Sequence, residues 1–261
     1  MIICDTNIWY DLGEGRISYP REPLVCTYTS IREIGCKKDI RKARRAISAI
    51  NEFASVFYFE DAFSMMLRKL GFTSQMNLPS GKMRVWEQLK SILNLTEDQI
   101  TEIDNKIKED LKADHFIESP LFLDAKKATE EVNDLLTQVK ANIKKNKLKS
   151  YRLTEDTTEQ TKQLMVSCLN CYLEEKRMDP INIEPSNSKW STLELIVEAW
   201  SDFCKKLELN KNNKKITLND FSDLWNMAYV GSSDLYWTVD TEWPQIMKAN
   251  PKLNKYLFQL N

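Results

Sequence analysis

The residues best placed to do chemistry in this chain are four carboxylates. Asp5 closes the apolar run Ile2-Ile3-Cys4, and Asp240 closes Leu235-Tyr236-Trp237-Thr238-Val239; each run reads as a short buried strand delivering an acid at its carboxyl end. Glu33 lies just past a second strand-like run, Leu24-Val25-Cys26-Thr27-Tyr28-Thr29, and Asp223 is read as opening a helix ahead of the last strand. In an open α/β sheet, ligands and catalytic groups collect at the carboxyl ends of the strands. A carboxylate placed there costs folding free energy unless something pairs with it. Four together repel and raise one another's pKa values. A hard divalent cation relieves both penalties, and oxygen-only ligands favour Mg²⁺ or Mn²⁺.

Each acid also has a plainer reading. Asp5 could cap a helix, and Glu33 could complete a capping box with Ser30. Asp223 could be a solvated helix residue, and Asp240 a turn residue ahead of Thr241-Glu242-Trp243-Pro244. One shared site accounts for all four positions at once, and that reading is preferred.

The elements that must position these acids alternate. After the first strand, Ser30 with Glu33 three residues on predicts a helix running from there to about Ala54, followed by a third strand, Val56-Phe57-Tyr58-Phe59. Strands alternating with helices predict a parallel sheet covered on both faces, a three-layer α/β/α sandwich. Between about Asp61 and Lys215 no strand pattern is visible. Helices are expected instead from Thr96-Glu97-Asp98-Gln99 onward (Ile100, Ile103, Ile107 and Leu111 on one face), over Leu121 to about Leu148, over Thr157–Arg177 and over Ser191–Leu209. The division predicted is a core of residues 1–62 and 215–261 carrying a large helical insertion, 63–214.

Several chemistries are disfavoured. The single histidine, His115, makes histidine acid–base catalysis improbable, and none of the six glycines forms a phosphate-binding motif. Cys168-Leu169-Asn170-Cys171 has metal or redox spacing but no second pair, so it reads as two small core residues. A phosphotransferase with an N-terminal aspartyl nucleophile would need Asp-x-Asp, and Asn7 stands at the third position. The net charge of −1 gives no global attraction for nucleic acid, so any basic surface is local. The densest run is Lys37, Lys38, Arg41, Lys42, Arg44 and Arg45, which could meet RNA phosphates or simply face solvent; the lysines between 140 and 149 read as solvent decoration. Trp9, Trp225, Trp237 and Trp243 are expected in the core. No 18-residue apolar stretch or signal peptide is visible, which with six cysteines predicts a reduced cytoplasmic protein.

Asp5-Thr6-Asn7, Ser30-x-x-Glu33, the Asp223 segment and Thr238-x-Asp240, in that order, resemble the acidic signature of PIN-domain (VapC-like) nucleases; Glu60-Asp61-Ala62 after the third strand is similar as well. The resemblance covers about residues 1–62 and 215–261. It implies a metal-dependent ribonuclease with Asp5, Glu33, Asp223 and Asp240 as Mg²⁺ or Mn²⁺ ligands, supported by Asn7 and by Ser30 or Thr238. Asp220 competes with Asp223 for the third acid; Asp223 is preferred because Ala228 and Gly231 follow it at family-like distances, while Asp220 suits a helix cap and Asp234 a turn. The implied substrate is RNA. A toxin-type role with a protein antitoxin is an extension of the same resemblance, and a catalytically inactive RNA- or protein-binding scaffold is the rival reading.

Overall fold

The computed structural model describes residues 1–36, 39–72, 80–112, 157–209 and 215–260, with positions 130, 133 and 137. Four strands, β1 (Ile2–Cys4), β2 (Leu24–Thr27), β3 (Ala54–Tyr58) and β4 (Leu235–Trp237), form one all-parallel sheet in the order β3-β2-β1-β4. Ile2 and Ile3 register against Leu24 and Val25 on one side, and Ile2, Ile3 and Cys4 against Leu235, Tyr236 and Trp237 on the other. The chain winds outward from β1 to β3 and then returns to the opposite side of β1. The strand order thus reverses between β1 and β4, the place in such sheets where ligands commonly bind.

Helices cover both faces. On one lie α1 (Thr6–Gly13), α2 (Tyr28–Gly35), α3 (Ile40–Phe53) and α5 (Ser80–Lys90); their Ile8, Trp9, Ile31, Ile47 and Trp86 pack with Ile2, Cys4, Leu24, Cys26 and Trp237. On the other lie α4 (Ala62–Lys69), α7 (Thr158–Glu175), α8 (Glu194–Leu209), α9 (Leu218–Met227) and α10 (Glu242–Ala249); their Met65, Leu169, Phe203, Leu224 and Trp243 pack with Ile3, Val25 and Tyr236. Successive strand residues thus serve opposite cores, which is why each strand reads as an unbroken apolar run. Helix α6 (Glu97–Lys112) flanks α3, and α11 (Pro251–Asn254) follows α10. The α/β/α layering predicted above is what the chain adopts. Between β3 and β4 the described residues form no strand, and α4, α7 and α8 from the predicted insertion share one hydrophobic core with the sheet.

Several local expectations need correction. The single helix expected from Ser30 to Ala54 is two, α2 and α3, with Asp39 capping the second through the Lys42 N–H at 2.9 Å. Ser30 is not an N-cap: β2 ends at Thr27, whose hydroxyl accepts the Ser30 N–H at 3.1 Å and starts the helix three residues early. Asp223 does not open its helix. Thr217 does, in a capping box with Asp220, the helix-cap role expected of Asp220. Trp9, Trp237 and Trp243 are buried and Trp225 is half-buried, whereas Cys171 is exposed and Cys168 only half-buried. Asp234 accepts the Gly231 N–H at 3.0 Å, a turn residue as expected. His115, the 121–148 helix, the lysines between 140 and 149, and Lys37 and Lys38 lie outside the described residues.

Candidate active site

Asp5 follows β1, where the strand order reverses, and it is 1 % exposed. It is both cap and candidate ligand: Oδ1 accepts the Thr6 N–H at 2.7 Å at the start of α1. Its Oδ2 accepts the Thr238 hydroxyl at 3.0 Å, and the same hydroxyl accepts the Asp240 N–H at 3.1 Å. Thr238 therefore ties Asp5 to the chain segment that follows β4, through the Asp240 backbone. The Asp240 carboxylate accepts the Glu242 N–H at 2.6 Å, which opens α10.

Asp223, in the middle of α9, is also buried, and the indole N–H of Trp243 donates to its Oδ2 at 2.7 Å. Burial raises the pKa of Asp223, and the Asp5, Glu33 and Asp240 charges add to it. Asp5 is raised as well, by burial first and by the Glu33 charge second. Glu33 and Asp240 are half-buried. Asp223 thus feels the charges of the other three acids, and among the described residues no lysine or arginine forms an ion pair with any of the four.

The supporting residues sort differently from expectation. Thr238 serves as foreseen. Ser30 is fully buried but donates to the Cys4 carbonyl at 3.4 Å and accepts from Thr6 at 3.2 Å, steadying the turn after β1 rather than touching an acid. Asn7 is exposed on the first turn of α1, and among the described residues it makes no hydrogen bond to the acids. Its place is taken by Asn226, fully buried, whose amide N–H donates to Asp5 Oδ1 at 3.4 Å. Asn226 falls one helical turn after Asp223, a spacing that could have drawn attention to it. The basic run on α3 has protein partners: Arg41 meets Thr101 at 2.9 Å, Arg44 pairs with Glu97 at 2.7 Å, Arg45 with Glu14 at 3.3 Å, and Lys42 lies over the Tyr10 ring. Those partners lie on α6 and at the end of α1, and Arg41 and Arg45 remain exposed to solvent.

The chemistry of the donor set is that of a hard divalent cation's ligands, since it is all oxygen, with Asp5 and Asp223 buried and, among the described residues, no ion-pair partner. A second feature agrees. The Tyr236 hydroxyl, fully buried on β4 within the field of all four acids, has no hydrogen-bond partner among the described residues. Against this, among the described residues no three His, Cys, Asp or Glu side chains already converge to ligating distance. In comparisons with family models, curated proteins and solved structures, nothing matches this chain significantly.

Proposed function

We propose that this chain is a divalent-cation-dependent endoribonuclease that hydrolyses RNA phosphodiester bonds. The observation that supports the reading is the pair of buried acids Asp5 and Asp223, the first tied by Thr238 to the end of β4 and the second raised by burial and by the charges of Asp5, Glu33 and Asp240, with no ion-pair partner for any of the four among the described residues. Asp5 and Asp223, with Glu33 and Asp240, would hold Mg²⁺ or Mn²⁺, which when bound lowers the pKa of a water and neutralises phosphoryl charge. The chain's own residues do the positioning. Thr6 and Thr238 hold Asp5 from two sides, Trp243 holds Asp223, and a carboxylate of the cluster accepts the proton of the attacking water. Without cations, four acids repel a phosphodiester.

The test compares the wild type with Asp5→Asn and Asp223→Asn on RNA, in Mg²⁺ and in chelator. Cleavage should need the metal and fall at least a hundredfold in either variant. Equal activity in all three proteins would reject the assignment.

A second reading, a catalytically inactive scaffold for RNA or protein, draws on the lack of a ready-made three-ligand set among the described residues. Titration with Mn²⁺ separates the two: a scaffold shows no binding that depends on Asp240. A cytoplasmic toxin-type role with a protein antitoxin belongs to the nuclease reading and rests on the PIN-domain resemblance. No helix among the described residues is long and apolar enough to cross a membrane.

A further inference from the structure

We propose that Asn226, seated on Thr27, is a positioning residue of the acidic site that leaves Asp5 a single acceptor position, on Oδ2, for its ligand. The inference rests on the metal-site reading above and adds to it which oxygen of Asp5 is offered.

The argument is one of hydrogen-bond capacity. A carboxylate has about four acceptor positions, two on each oxygen. Oδ1 of Asp5 receives the Thr6 N–H at 2.7 Å and the Asn226 amide at 3.4 Å, so both its positions are taken. Oδ2 receives the Thr238 hydroxyl at 3.0 Å, and one position remains.

The orientation of the Asn226 amide follows from its other neighbour. The Thr27 hydroxyl accepts the Ser30 N–H at 3.1 Å and sits 2.6 Å from the amide oxygen of Asn226. A separation of 2.6 Å suits an O–H···O bond and is short for N–H···O, so the Thr27 proton goes to the amide oxygen rather than to the Ser30 hydroxyl at 3.3 Å. With the oxygen committed to Thr27, the –NH₂ group must face Asp5. Asn226, Thr27 and Asp5 come from α9, β2 and β1, so the contact also fixes how Asp223, one turn earlier on α9, is presented to Asp5. A neutral amide does this without adding charge: an aspartate would add a further carboxylate, and a lysine would supply the counter-charge that a cation is expected to bring.

The alternative is that Asn226 merely satisfies buried polar groups. Mn²⁺ titration calorimetry on the full chain, at a temperature where melting curves show each variant folded, separates the two. Groups that orient metal ligands typically contribute about ten- to a hundredfold in metal affinity. Asn226→Leu, close in shape and without donors, should weaken Mn²⁺ binding at least tenfold. Thr27→Val should weaken it likewise, and Thr27→Ser, which keeps the hydroxyl, should restore it. If Asn226→Leu destabilises the fold too far to titrate, the Thr27 pair carries the test. Unchanged Mn²⁺ affinity in the folded Asn226→Leu and Thr27→Val proteins, with binding lost in Asp5→Asn, overturns this proposal and leaves the nuclease reading standing. No Mn²⁺ binding by the wild type overturns both.

Discussion

Replacing Asp5 by Asn should make the metal-free protein more stable, although Asp5 is a hydrogen-bonded, helix-capping residue. The two effects can be weighed. Burial, with the Glu33 charge behind it, moves the Asp5 carboxyl from 3.8 to about 7. At a pH above 7, that ionised group costs the native state on the order of 4 kcal/mol relative to the unfolded chain. The sign follows from proton binding: with a raised folded pKa, the native state holds more protons than the unfolded one between about 4 and 7. Stability therefore falls as pH climbs through that window and stays low above it. Asn escapes this cost. It caps helices about as well as Asp, its oxygen can still accept from Thr6 and Asn226, and the loss is the Thr238 hydroxyl's acceptor, about 1 kcal/mol. The balance is roughly 2–3 kcal/mol in favour of the variant, or about 4–12 °C in Tm at about 2–4 °C per kcal/mol for a chain this long. Thermal melts in chelator should show that rise at pH 8 and a smaller one at pH 5, and Mn²⁺ should raise the wild-type Tm selectively, narrowing the gap. A lower Tm for Asp5→Asn at pH 8 would refute the reasoning, since it would make Asp5 an ordinary cap without electrostatic strain.

Other expectations follow from single contacts. Tyr236→Phe removes a buried hydroxyl without a partner, so the metal-free protein should gain about 1 kcal/mol by calorimetry; a loss would contradict the orphan assignment. Lys69 donates to the carbonyls of Ala228 and Val230 at 2.8 and 2.7 Å, tying down the end of α9 ahead of β4, so Lys69→Met should cost about 1–3 kcal/mol in denaturant unfolding. A Cβ on Gly13 would overlap the Arg45 carbonyl where α1 crosses α3, and Gly13→Ala should cost about 1–3 kcal/mol by the same assay. The Arg44–Glu97 pair is largely solvent-facing, so a double-mutant cycle should return about 0.2–1 kcal/mol, less at high salt.

How much of this was legible before folding differs residue by residue. Asp5 and Asp240 were visible because an apolar run ending in an acid is a local pattern, and parallel strands buried on both faces write that pattern directly into the chain. The α/β/α layering was legible for the same reason. The cap of α2 was not. Thr27-x-x-Ser30 and Ser30-x-x-Glu33 have equal spacing, and the choice between them depends on where β2 stops, which its pairing with β3 and β1 decides. The basic run of α3 likewise looked exposed until α6 brought Glu97 and Asp104 against it.

By itself, the order of residues determined the local preferences: short apolar strands, acids at their ends, and amphipathic helices between them. Only the tertiary structure decided that Thr238 bridges Asp5 and Asp240, that Asn226 rather than Asn7 reaches Asp5, and that Tyr236 turns an unpartnered hydroxyl into the field of the acids. The physical reason is range. Strand and helix preferences act over a few residues, whereas these contacts join groups 221 and 233 positions apart that meet only once β4 has returned to lie beside β1.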